Sequence, residues 1–194
     1  MTKLHWILFR GTSPHVLALV FAAWIVVDMM HSNPTWAVVR SFDNDASDND
    51  WFNAANWDPN GGPDVFDELT VSSGTATAAT TVTTDAGGSI AVSGAGTLAD
   101  FAGGVGLTPG LQIGNVGNGS FTLTNSGDVQ VTGLTFLGAQ AGSRGEVTIT
   151  DPNTTWGTTS TFVVGFRGEG DLMLLNGAGL SSNGGGIGNL STAT

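Results

Sequence analysis

The side chains best suited to chemistry fall into three groups. Asp43, Asp45, Asp48 and Asp50 are clustered in one short stretch of chain. Carboxylate oxygens at that density are the hard ligands that Ca2+ collects, about six to eight at a time. The run is not an EF-hand loop: counted from Asp43, the sixth position is Asp48 where that loop needs Gly, and the twelfth is Ala54 where it needs Glu. It reads as a candidate calcium segment, with a solvated acidic linker as the alternative. Trp51 and Trp57 form the second group, an aromatic pair that could offer sugar rings a stacking platform or plug the open end of an apolar core. The third group is a motif that occurs twice, as Arg144-Gly-Glu146 and as Arg167-Gly-Glu169. Aligned on one face the two copies could hold an acidic sugar; paired in solvent they would do no more than neutralise one another.

What is missing narrows the chemistry further. His5, His15, His31 and Lys3 all fall within residues 1–37, and residues 38–194 contain no His, Lys or Cys. Serine–histidine, cysteine and zinc–histidine catalysis are therefore outside the reach of that part of the chain. A glycoside hydrolase would have to draw two carboxylates from Asp128, Glu146, Asp151, Glu169 and Asp171, and a lyase would have to use Arg144 or Arg167 as its base. Three arginines face fifteen carboxylates in residues 38–194. Such a surface repels nucleic acid and anionic lipid, both of which are gripped by Lys and Arg.

Residues 1–37 read as a secretory signal: Lys3 and Arg10 make a positive start, Val16 to Val27 is an unbroken apolar run, and Thr35-Trp36-Ala37 follows Pro34 as a small-x-small cleavage site. The run is shorter than the roughly 20 residues of a membrane-spanning helix, so cleavage is expected, with an uncleaved N-terminal anchor as the alternative. Residues 38–68 are an acidic, Trp-containing capping segment. Residues 69–194 change texture to Thr, Ser, Ala, Val and Gly, the mixture that gives short strands and tight turns.

From Leu111 a repeat is visible. An apolar–Gly pair recurs at Ile113-Gly114, Leu137-Gly138, Val164-Gly165 and Ile187-Gly188. A second marker, Gly-x-apolar-x-apolar, begins at Gly119, Gly145 and Gly170 with nearly the same period. Two independent markers sharing a period of about 25 residues signal a solenoid. Alternation turns Phe121 and Leu123 to one face and Thr122 and Thr124 to the other. Like residues then pile up coil upon coil: Phe121 over Val147 over Leu172, and Leu123 over Ile149 over Leu174. A lone coil buries too little to fix its own backbone and is held by its neighbours. The expected fold is therefore all-β, a parallel β-solenoid (β-helix) with coils of about 25 residues, preceded by an N-terminal signal helix. A β-propeller, whose blades run to about 40 residues or more, fits the period less well.

The segment from Ile113 to Gly188 resembles the autotransporter/PEP-CTERM-associated repeats, with Gly119 to Gly127 matching one block and Gly145 to Trp156 the next. Trp51, Asn56-Trp57, Pro59 and Pro63 look like the Asn-Trp segment that opens such passengers. Asp151-Pro152 stands where those repeats carry a small-Gly turn, and the chain reaches Thr194 without a sorting tail or translocator barrel, so a truncated C-terminus is expected. The resemblance implies an exported, passenger-like β-helix, located at the cell surface, associated with the outer membrane or released. It carries no catalytic residue with it. The expected function is a structural or adhesive surface scaffold without intrinsic catalysis, and the alternative is a carbohydrate-binding or polysaccharide-degrading β-helix protein. Expected partners are surface polysaccharide or other envelope proteins. Nucleic acid and small-molecule cofactors are not expected, calcium apart.

Overall fold

The computed structural model describes residues 37–85, 87–95, 97–102 and 109–188. The expected signal helix and the glycine-rich run 103–108 lie outside them. The described residues form β1 (Val39–Phe42), β2 (Trp57–Asp58), β3 (Glu68–Val71), β4 (Thr75–Ala78), β5 (Val82–Thr84), β6 (Ser89–Ser93), β7 (Leu98–Phe101), β8 (Pro109–Ile113), β9 (Asn118–Thr124), β10 (Asp128–Val131), β11 (Leu134–Leu137), β12 (Arg144–Ile149), β13 (Thr155–Val164), β14 (Glu169–Leu174) and β15 (Gly179–Ile187). A single 3₁₀ turn, Ala54–Asn56, precedes β2.

These strands make a parallel β-solenoid with three strand columns. The first column runs β1, β3, β6, β9, β12, β14, every neighbour parallel, with β2 added antiparallel at its N-terminal edge. The second runs β4, β7, β10 and the first half of β13. The third runs β5, β8, β11 and the second half of β13. In β13 the second and third columns merge into one long strand, with an irregularity between Thr158 and Thr161, and β15 follows it along both halves.

The register bears out the sequence pattern residue by residue. Phe121 pairs with Val147 and Val147 with Leu172; Leu123 pairs with Ile149 and Ile149 with Leu174. Ile113, Leu137, Val164 and Ile187 are likewise successive partners. Phe121, Leu123, Val147 and Ile149 are buried, while Thr122 is exposed on the outer face.

The two glycine markers turn out to be halves of one device. Gly114, Gly138 and Gly165 take positive φ (68°, 63° and 72°) to turn the chain from the third column into the first, a conformation that glycine adopts without a Cβ penalty. The glycine near the start of the next strand then lies against that corner. A Cβ on Gly119 would stand 2.6 Å from the Gly114 nitrogen, and one on Gly145 2.7 Å from the Gly138 nitrogen; on Gly170 it would press closer still on Gly165.

The capping segment is continuous with the solenoid. β1 lies parallel on β3, and Asp50 forms a parallel bridge to Thr77 in β4, closed by the Trp51 N–H donating to the Thr77 carbonyl at 2.9 Å. Its aromatic residues begin a chain of rings through the core. Phe42 meets Trp57 at 5.3 Å between centroids, Trp57 meets Trp51 at 4.9 Å, and Trp51 meets Phe101 at 5.4 Å. Phe101 meets Phe121 at 6.2 Å, Phe121 meets Trp156 at 4.9 Å, and Trp156 meets Phe162 at 5.5 Å. Every contact is edge-to-face, the arrangement aromatic quadrupoles favour, contributing about 0.5–1.5 kcal/mol beyond area burial.

Gly145→Ala should cost about 2–4 kcal/mol of unfolding free energy in urea titration, because the new methyl meets the Ile113 carbonyl and Gly138 backbone. Gly62→Ala, with nothing within 4 Å of the added carbon, should change it by less than about 0.5 kcal/mol.

Candidate functional site

The acidic segment leads into the 3₁₀ turn, and the carboxylates of Asp43, Asp48 and Asp50, though not that of the exposed Asp45, are engaged by neighbouring N–H groups. Asp43 accepts from the Asp45 N–H, and Asp50 from the Phe52 N–H. Asp48 accepts from the Asp50 N–H at 3.0 Å, from the Asn56 carboxamide at 2.6 Å and from that of Asn53 at 2.7 Å. These donors, the Asp50 N–H first, hold the Asp48 carboxyl below its usual pKa. Among the described residues no group of three or more His, Cys, Asp or Glu is gathered closely enough to hold a metal ion.

Trp51 and Trp57 are not a sugar platform. They are 1% and 0% exposed, packed against each other, with the Trp57 indole N–H donating to the Trp51 carbonyl at 2.7 Å. Rings that close the end of an apolar core cannot also present a face to solvent, so of the two roles open to these residues, glycan contact and core plug, they take the second.

Nearby, Asp67 fastens the first coil. It is buried and accepts from the Val38 N–H at 2.8 Å, the Asp64 N–H at 3.0 Å and Arg40 Nε at 2.9 Å. Burial alone would raise its pKa; the Val38 and Asp64 N–H groups and the Arg40 guanidinium outweigh burial and hold it below the usual value.

The surface best equipped to meet a ligand lies where the third column turns into the first. The two Arg-Gly-Glu motifs do not stack there. Arg144 pairs in register with Asn118 on one side and Glu169 on the other, and Glu146 with Asp171. The mismatch has a simple cause. The strand register sets the start of the first motif opposite the end of the second, which leaves Arg167 in the corner loop before β14. Arg144 instead bridges carboxylates. Its Nη2 lies 2.7 Å from Glu146 Oε1 and 2.7 Å from Asp171 Oδ2. The hydrogen bond to Asp171, and then the charges of Glu146 and Asp171, push the Arg144 pKa further up, away from service as a general base. The guanidinium also fills the gap between the two carboxylates, where a scissile sugar oxygen would have to sit.

On either side of Arg144 the surface is hollowed. One hollow of about 200 Å3 lies over Gly87, Gly88, Asn118 and Ser120; the other, about 440 Å3, is lined by Asn118, Ser143, Arg144, Arg167 and Glu169 among others. Arg167 is held differently from the other described cations. Its guanidinium carbon stands 5.6 Å over the Phe166 ring, which stacks on Phe136 at 4.5 Å and 19°. The sequence reading missed this outer aromatic stack. Its signal was present in the two phenylalanines flanking successive corners, Phe136-Leu-Gly138 and Gly165-Phe166.

The remaining carboxylates are dispersed. Asp128 lies on the second column, accepts from the Thr155 hydroxyl and has its pKa raised by burial. Asp151 accepts from the Asn125 N–H in the turn between the first and second columns.

Fold and surface together define the class, a three-column parallel β-solenoid with a polar cleft at one corner. Comparison with protein-family models, curated proteins and solved structures finds no match for the chain.

Asp67→Asn should lower stability at pH 7 by about 2 kcal/mol. Because the folded pKa is depressed, the native carboxylate contributes fully above the ordinary carboxylate pKa of about 4 and loses that contribution as pH falls through the folded value. Urea titrations of both proteins from pH 7 to 2 should therefore show the gap closing in acid.

Proposed function

We propose that the protein is an exported structural or adhesive surface scaffold, built from stacked β-solenoid coils and without intrinsic catalysis. The observation that carries this reading is the unbroken register of the first strand column from β1 to β14 over a continuous apolar core. Coils of this kind set a rigid spacing and display polar outer faces, here Thr70, Thr122 and Thr148 on the first column. The absence of His, Lys and Cys from residues 38–194 supports a non-catalytic role, and the resemblance to autotransporter/PEP-CTERM-associated repeats supports export to the cell surface, the outer membrane or the medium. Among the described residues no helix is long and apolar enough to cross a membrane.

A second reading, a carbohydrate-acting β-helix, is favoured by one observation: the paired hollows flanking Arg144, with carboxamide, hydroxyl and charged groups converging on them. Binding suits that surface better than hydrolysis, since Arg144 occupies the space between Glu146 and Asp171.

Expression of the full chain in a Gram-negative host should place it outside the cytoplasm by fractionation and make it sensitive to protease added to intact cells. Reducing-sugar release from a polysaccharide panel should stay at background. Cytoplasmic retention contradicts export, and saturable turnover abolished by a single Asp or Glu substitution contradicts the scaffold reading.

A further inference from the structure

We propose that the larger corner hollow receives a hexuronate ring of an acidic polysaccharide, with Arg167 holding the sugar carboxylate. The inference rests on the carbohydrate-binding reading and names its ligand class. Its starting point is an imbalance in how the described cations are used. Arg40 is committed to Asp67 and to the Pro59 carbonyl, and Arg144 to Asp171 and Glu146. Among the described residues Arg167 forms no salt bridge, and its guanidinium sits over Phe166. That contact draws on the π face of the ring. The N–H groups, which grip carboxylates through paired, charge-assisted bonds, are left for a ligand.

The guanidinium is also anchored. Phe166 is stacked on Phe136, which is itself 8% exposed, so the cation rests on a supported ring. Holding it there in advance reduces the ordering that binding would otherwise demand.

The rest of the hollow matches the rest of a uronate. Glu169 accepts ring hydroxyls, Asn118 both donates and accepts, and the cavity of about 440 Å3 lies in the range of small-molecule sites. A simple inorganic anion would gain nothing from Glu169. A neutral sugar would gain nothing from the Arg167 charge. A ring bearing one carboxylate and several hydroxyls uses both. The excess of carboxylates over arginines in residues 38–194 disfavours loose attraction of polyanions, so recognition must come from this short-range pairing.

Isothermal titration of the full chain with trigalacturonate, and with its fully methyl-esterified counterpart, tests the assignment. The acid should bind about ten- to a hundredfold more tightly than the ester, and Arg167→Gln should remove that preference. Arg167→Lys should retain part of it, and circular dichroism of both variants should match the parent protein. Equal binding of acid and ester, or an Arg167→Gln variant that still prefers the acid, overturns the inference while leaving carbohydrate binding standing. Binding of neither sugar, with no hit for the parent protein across a panel of neutral and acidic glycans, overturns both.

Discussion

The structure depends on inward side chains stacking along the coil axis. A short parallel strand that faces nothing cannot repay the entropy of fixing its backbone; a strand laid on its predecessor completes both a hydrogen-bond ladder and an apolar layer. In this protein much of that axis is aromatic. Seven rings, from Phe42 to Phe162, touch in sequence from the cap to β13. The capping segment is thus the first layer of the stack, and the buried Asp67 holds Val38, just ahead of β1, and Arg40 within β1 to the chain just before β3.

That arrangement separates structure from display. The core uses the inward positions and the corner glycines, which leaves the outward positions free to vary. Charge collects there, mostly negative, and the few cations become focal points. Arg40 is consumed by the fold and Arg144 by a surface bridge, while the Arg167 guanidinium stands over the Phe166 ring. The cleft around Arg144 and Arg167 adjoins the corner from Gly138 to Ser143, which is longer than those at 114–117 and 165–168.

Much of the fold was legible because the C-terminal coils are nearly uniform. Successive partners on the first column, Asn118, Arg144 and Glu169, are almost evenly spaced along the chain, so both glycine markers keep step. The earlier coils hide the period, since the step from Glu68 to its partner Ser89 is short and the next, from Ser89 to Ser120, is long. Sites were harder to read. Trp51 and Trp57 look alike in sequence whether they plug a core or greet a sugar; only the β1–β3 pairing and the bridge to Thr77 place them inside. The Arg-Gly-Glu motifs mislead for a related reason. Likeness of motif suggests equivalence of position. The motif recurs after 23 residues whereas the strand register steps by 25, from Arg144 to Glu169, so the second motif falls out of step with the first and the bridge forms between Arg144 and Asp171.

Urea unfolding of Phe121→Ala tests the central claim most directly, because Phe121 joins Phe101 to Trp156 in the middle of the axis. If stacked coils hold one another, the substitution removes about 3–5 kcal/mol, and far-UV circular dichroism and tryptophan fluorescence report one shared transition. A loss below about 1 kcal/mol, or a cap whose tryptophan signal melts independently of the strands, would contradict it.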